Sequence, residues 1–183
     1  LDSQMRLKAQ PRLRFAGHYL HFLQEINRRY QQGGEQIMRA LADLEVEMGQ
    51  IEQSHTWLVE NQMLDEAAEL CSAYAAAGEA MFDLRMTAHE SITWLDAALD
   101  AARGLDNPQT ESLHLRQLGD ANARIGEYTN AIGYYERALE LAADSSGLLD
   151  VTKILNGWGE VASKMGDYGR ATQLFEESLS INS

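Results

Sequence analysis

Two stretches decide the fold: Leu115-Arg116-Gln117-Leu118-Gly119 with Gly126-Glu127-Tyr128-Thr129-Asn130-Ala131, and Leu155-Asn156-Gly157-Trp158-Gly159 with Gly166-Asp167-Tyr168-Gly169-Arg170-Ala171. They align without a gap at an offset of 40 and continue as Tyr135-Glu136-Arg137-Ala138-Leu139 and Phe175-Glu176-Glu177-Ser178-Leu179. Self-similarity at a fixed period marks a chain that stacks one supersecondary unit. The residue types say what the unit is. Gly119 and Gly159 let two helices approach closely, and Gly126 and Gly166 suit a helix end where positive φ is wanted. Tyr128 and Tyr168 restart the chain, Ala131 and Ala171 keep a helix crossing tight, and Tyr135 and Phe175 fill the space between paired helices.

Composition agrees with an all-helical chain. Only Pro11 and Pro108 interrupt 183 residues, 45% of which are hydrophobic and 23% charged, and the abundance of Ala, Leu, Glu and Gln favours helix over strand. The single Cys71 has no second thiol for a disulfide or zinc knuckle and reads as a small buried residue on a helix. No apolar run approaches the roughly 20 residues of a membrane-spanning helix, so membrane is not an expected partner and the cytoplasm is the expected location. The chain opens Leu1-Asp2-Ser3 without an initiator Met and reads as an excised piece. Its net charge is −13, which argues against nucleic acid as partner, because a phosphate backbone calls for a clustered basic face. The first 40 residues carry seven Lys/Arg against three acids, so the other 143 carry −17.

Residues 112 to 183 resemble the tetratricopeptide repeat, whose pattern of a large residue, Leu-Gly, Gly-x-Tyr, Ala, an aromatic and Ala-Leu they repeat twice. The resemblance implies an all-α, right-handed superhelical array of antiparallel helix pairs. Asn122 and Ala162 depart from it, standing where an aromatic is usual. The 40-residue period exceeds the common 34 and implies longer helices or a longer link at Asp144–Leu148, as in the longer-repeat branch that often binds extended peptides. A degenerate third copy is expected over 64–104, where Trp94-Leu95 and Ala98-Leu99 match Tyr134-Tyr135 and Ala138-Leu139. The expected organisation is a helical lead-in over 1–62 and repeats over 63–183, degenerate at 64–104 and clear at 112–145 and 152–183.

In the lead-in, Leu13, Phe15, Tyr19, Phe22, Leu23, Ile26 and Tyr30 form an amphipathic helix that Gly33-Gly34 ends. Ile37, Leu41, Leu44, Val46 and Met48 begin another, which Gly49 is expected to break. His18-Tyr19, Leu44-Glu45 and Trp57-Leu58 resemble the segment leading into the repeat arm of bacterial NB-ARC/STAND-type signalling ATPases and regulators. Gly49-Gln50 stand in place of that family's acidic-Asn pair. The resemblance implies that this chain is the sensor or arm of such a regulator.

Chemistry has few places to reside. No phosphate-cradling Gly-x-x-x-x-Gly-Lys-Ser/Thr occurs, nor a nucleophile elbow. The neighbouring acids Glu45/Glu47, Asp65/Glu66 and Glu176/Glu177 point different ways on a helix. His18, His21 and Glu25 share a helix face at i, i+3 and i+7, and a metal-dependent enzyme built on them is the remote alternative, with no HExxH pattern behind it. No cofactor, no metal and no catalytic activity is expected.

What remains is binding. In tetratricopeptide repeats the first helix of each pair lines a concave groove, and by that resemblance Arg116, Asp120 and Arg124 of one repeat and Asn156, Glu160 and Lys164 of the next look into it. Each trio is spaced i, i+4, i+8 and lies on one stripe, suited either to holding a protein or peptide or to pairing along its own helix, Arg116 to Asp120 to Arg124 and Glu160 to Lys164. The expected function is protein–protein interaction. The alternative is self-association into a homo-oligomer through the last repeat, with Leu174, Phe175, Leu179 and Ile181 as uncapped apolar surface.

Overall fold

The computed structural model describes residues 3–143 and 148–181. Among them the chain is all helix: α1 (Ser3–Gln32), α2 (Glu35–Glu60), α3 (Asp65–Ala77), α4 (Glu79–Leu84), α5 (Ala88–Gly104), α6 (Pro108–Arg124), α7 (Tyr128–Ala143), α8 (Leu148–Lys164) and α9 (Tyr168–Ile181). No helix among the described residues is long and apolar enough to cross a membrane. Two compact units divide the chain, Leu1–Leu105 and Asp106–Ser183.

The first unit is built on the α1–α2 hairpin. Its turn places Gly33 at φ +73° and Gly34 at φ +59°, a region that L side chains avoid. Ala9, Leu13, Ala16, Tyr19, Leu23 and Ile26 form the buried stripe of α1, spaced by three and four residues as a helix facing a core must be. The helix begins ten residues before Leu13, running through Pro11. The carbonyl that Pro11 leaves unbonded belongs to Leu7, which is 72% exposed and open to water.

The expected break at Gly49 does not occur. Helix α2 is continuous from Glu35 to Glu60, with Leu44 and Ile51 fully buried on either side of the glycine. An exposed glycine inside a helix costs about 1 kcal/mol relative to alanine, less than the burial of either neighbour contributes. Helix α3 packs on α5, with the short α4 between them in sequence. Tyr74 of α3 is completely buried and ties three helices together: its hydroxyl donates to the Ala16 carbonyl at 3.0 Å and lies 2.9 Å from Ser54 Oγ. A reciprocal capping box between Thr87 and Glu90 starts α5.

The second unit is two antiparallel helix pairs, α6 with α7 and α8 with α9; α7 also packs on α8, and α6 lies beside α8. Asn107 caps α6 through a bond from the Thr110 N–H, with Pro108 in the first turn where its missing N–H costs nothing. Both intrapair turns are the same turn. Gly126 and Gly166 have φ of +82° and +84°; the Glu127 N–H donates to the Asn122 carbonyl at 3.0 Å and the Asp167 N–H to the Ala162 carbonyl at 2.9 Å. The crossing is also repeated: a Cβ on Gly119 would lie 2.6 Å from Tyr135 Cε1, and one on Gly159 2.7 Å from Phe175 Cε1. The longer link expected at 144–148 lies, except for Leu148, outside the described residues.

Candidate functional site

Helices α6 and α8 each bury one face and carry polar side chains on another. Leu115, Leu118 and Ala121 on α6, and Ile154, Leu155, Trp158, Val161 and Ala162 on α8, face neighbouring helices. The stripes Arg116–Asp120–Arg124 and Asn156–Glu160–Lys164 occupy equivalent places 40 residues apart, yet their surroundings differ.

In the first stripe Arg116 and Asp120 pair with each other. Arg116 Nη1 donates to Asp120 Oδ2 at 2.6 Å, and its side chain is only 13% exposed. The other carboxylate oxygen, Oδ1, accepts the Tyr135 hydroxyl at 2.7 Å from α7, where Tyr135 is buried. Helix α8 closes against this pair at Gly157, where a Cβ would come within 2.9 Å of the Tyr135 hydroxyl and 3.1 Å of Asp120 Oδ1. Arg116 Nε is buried without an acceptor.

The electrostatics follow from that enclosure. Asp120 keeps 42% of its side-chain surface open, but three helices press on its carboxylate. That desolvation is the largest influence and, with Glu160, leaves its pKa raised against the lowering by Arg116, the Tyr135 hydrogen bond and Arg124. Burial and the adjacent Asp120 push the Tyr135 hydroxyl above its usual range, so it remains a proton donor at physiological pH. Arg116, Asp120, Arg124 and Glu160 therefore share one electrostatic neighbourhood.

The second stripe is open. Asn156, Glu160 and Lys164 are exposed, and no ion pair joins Glu160 to Lys164 among the described residues. The aromatic that would correspond to Tyr135 is Phe175, which has no hydroxyl to offer Glu160. Beside the stripe, the Arg170 guanidinium sits 4.7 Å from the Trp158 ring centroid in a cation–π contact.

Sequence reasoning placed Tyr135 as a space filler and missed what its hydroxyl does; it also passed over Gly157. Both had a signal. Tyr at 135 against Phe at 175 leaves one hydroxyl to be accounted for, and a second mid-helix glycine two residues before Gly159 marks another close approach.

The other candidates resolve differently. His18 is exposed, His21 Nδ1 is 3.2 Å from Gln24 Oε1, and Glu25 accepts bonds from Arg28 at 2.7 Å and Arg29 at 2.8 Å. Those two guanidinium groups pull Glu25 down to about 2, so its carboxylate is committed to them. No grouping of three metal-binding side chains exists among the described residues. His55 lies buried with its ring stacked on Trp94 at 3.5 Å and 3°, and its Nε2 has no partner. Burial pushes it down to about 4, which keeps it a neutral packing residue. Cys71 is buried too, its thiol pushed up to about 11 by the same desolvation, and is unreactive on that account.

With the paired helices, the glycine crossings and the double turn in place, comparison with known families has a definite outcome. Residues 115–149 match the family model of the tetratricopeptide repeat. The match falls on α6, α7 and the start of α8, and it supports the tetratricopeptide-repeat family and, with it, a general role in protein–protein interaction. No curated protein matches the chain. Among solved structures, the crystal structure of BtubC (BKLC) from P. vanneervenii is similar with a TM-score of 0.60 and 17% sequence identity, over 94% of this chain and 72% of that one. At that identity the likeness is one of fold, an array of helix pairs.

Proposed function

We propose that this chain binds an extended segment of another protein along α6 and α8, with Asn156, Glu160 and Lys164 making the polar contacts. The observation that carries the reading is the contrast between the stripes. Arg116 pairs with one oxygen of Asp120 and Tyr135 takes the other, whereas the α8 trio stands exposed on one helical face with its donors and acceptors open. An asparagine amide both donates and accepts, as an extended backbone requires, and the acid and the amine a turn away on each side give the ligand a charge register. Arg116 and Asp120 then act as the rigid wall of the groove, and Arg124 as its cationic rim.

Selection from a random peptide display library against the whole chain tests this. Enriched peptides are expected to lose about tenfold or more in affinity, measured by titration calorimetry, on Glu160→Lys or Asn156→Ala. Peptides that bind these variants as well as the parent sink the assignment. Asp120 is unsuited to this test because changing it dismantles the Arg116–Tyr135 network.

The wider reading, that the chain is the sensing arm of a larger bacterial regulator working in the cytoplasm, rests on His18-Tyr19, Leu44-Glu45 and Trp57-Leu58. A nucleotide-binding motif encoded upstream of Leu1 in the same reading frame is the expected finding. A parent frame without one removes that reading and leaves the groove proposal intact.

A further inference from the structure

Helix α1 places its first cations where folding alone gains nothing from them. Arg6, Lys8, Arg12 and Arg14 are exposed, none bonds or ion-pairs with another described residue, and the helix carries no acid before Glu25. Later arginines of the same unit are paired instead: Arg28 and Arg29 with Glu25, Arg39 with Glu35 and Arg85 with Glu45. Arg6 closes the first turn, at the positive end of the helix dipole, and Lys8 and Arg12 are like charges four residues apart. Both placements work weakly against the helix. Nor is this a packing face. The faces with which α6 and α8 meet neighbouring helices are apolar, whereas this one is made of Arg, Gln and His.

Arg6, Gln10, Arg14 and His18 are exposed and recur every four residues, a ladder with rungs about 6 Å apart along the helix. Leu7, 72% exposed, and Pro11 lie beside it. An extended segment rises about 3.3 Å per residue, so its alternate side chains fall about 6.6 Å apart and keep step with the ladder. We infer that this half of α1 is a docking surface for an acidic, extended segment of a separate protein, with carboxylates at alternate residues meeting Arg6 and Arg14 and an apolar residue lying against Leu7. Charge complementarity names the occupant. The chain carries −13 overall, so a broad polyanion such as an anionic membrane or duplex DNA meets the repulsion of the rest of the molecule, while a short acidic segment touches α1 alone. A second copy of this chain meets the same repulsion. This surface is separate from the polar stripe of α8 proposed above, and neither assignment depends on the other.

The test uses the whole chain and a capped, fluorescein-labelled dodecapeptide of alternating Glu and Ser, with a central Ser replaced by Leu, followed by fluorescence anisotropy in about 20 mM salt. Saturable binding is expected, weakened about tenfold or more by the double variant Arg6→Glu/Arg14→Glu. The double variant Arg137→Glu/Lys153→Glu changes the net charge equally in the other unit and should weaken it less than about twofold. Raising the salt to about 200 mM should cost about tenfold, and returning the peptide's Leu to Ser about threefold. Arg6 and Arg14 are exposed and unpaired among the described residues, so their variant should keep the parent's thermal melt; if it does not, Arg6→Gln/Arg14→Gln serves in its place, with an expected loss of about threefold or more. Absence of saturable binding, or equal weakening by the two double variants, overturns the proposal. So does tighter binding of phosphatidylserine vesicles or of a duplex oligonucleotide than of the peptide, or light scattering that finds a salt-sensitive dimer abolished by Arg6→Glu/Arg14→Glu, because the occupant would then be a membrane, a nucleic acid or a second copy.

Discussion

The first repeat of the second unit and the second repeat are built on the same residues 40 apart, and they spend their polar groups differently. Arg116–Asp120–Tyr135 is a closed triad; Asn156–Glu160–Phe175 is an open one. A single oxygen separates the two aromatics. Where it is present, the acid on the neighbouring helix has both oxygens engaged and an adjacent helix packs on the group; where it is absent, the acid stays exposed. Backbone geometry is common to both repeats; what differs is the second-helix aromatic and the packing of α8 on the first pair.

The largest effect that tests this contrast is loss of the acid itself. Asp120→Ala leaves the buried Tyr135 hydroxyl without an acceptor and a mostly buried guanidinium without its counter-ion, a loss of about 2–4 kcal/mol. Glu160→Ala removes an exposed carboxylate and should change stability by less than about 0.5 kcal/mol. Urea unfolding monitored through Trp158, in a background with Trp57 and Trp94 replaced by Phe, reports on this unit. Similar losses for the two variants would break the distinction between closed and open triads.

The crossings give a smaller contrast. Gly119→Ala drives a methyl to within 2.6 Å of a Tyr135 ring that is hydrogen-bonded on one side and covered by α8 on another. Overpacking of 1–3 kcal/mol, less about 1 kcal/mol gained in helix propensity, predicts a net loss of about 1–2 kcal/mol. At Gly159 the clash is with Phe175, at 2.7 Å, but that ring is half-buried with an open side toward which it can turn. Gly159→Ala should therefore be near neutral, with a thermal midpoint within a few degrees of the parent. Equal destabilisation at the two glycines would mean that Phe175 is as confined as Tyr135.

The sequence made the scaffold legible because its requirements are local and repeated. Gly126 and Gly166, Gly119 and Gly159, and Tyr135 and Phe175 each answer a steric demand within one helix pair, and the structure places every one of them as that demand implies. Gly49 misled because it was weighed by propensity alone, which the buried Leu44 and Ile51 override. The closed triad was half legible. The i, i+4 spacing gives the Arg116–Asp120 pair, but the Tyr135 hydroxyl reaches Asp120 from another helix and Gly157 seals them from a third. Those relations exist only once the helices are packed.

A smaller effect isolates the oxygen. Tyr135→Phe copies the second repeat into the first, removing one hydrogen bond to Asp120 Oδ1 while keeping the ring that Gly119 accommodates. The expected cost is about 1 kcal/mol. Without that hydrogen bond, which lowers the Asp120 pKa, the pKa should rise further, and Asp120 Oδ1 is left as an unfilled acceptor on α6. Unchanged unfolding free energy would show that water substitutes fully for the hydroxyl, and the triad would not be closed in the sense argued here.

The reciprocal change, Phe175→Tyr, has the smallest effect on stability and the sharpest bearing on function. Its hydroxyl would reach for Glu160 as Tyr135 reaches for Asp120, but among the described residues no helix covers Phe175 as Gly157 of α8 covers Tyr135, so the new bond competes with water and contributes less than about 0.5 kcal/mol. That competition is enough to occupy one carboxylate oxygen part of the time. Affinity for peptides that use Glu160 should fall by about two- to fivefold, a change of about 0.4–1 kcal/mol, with the melt unchanged. Binding that is indifferent to the new hydroxyl would mean that the ligand does not touch Glu160, and the open stripe would have to be sought on Asn156 and Lys164 alone.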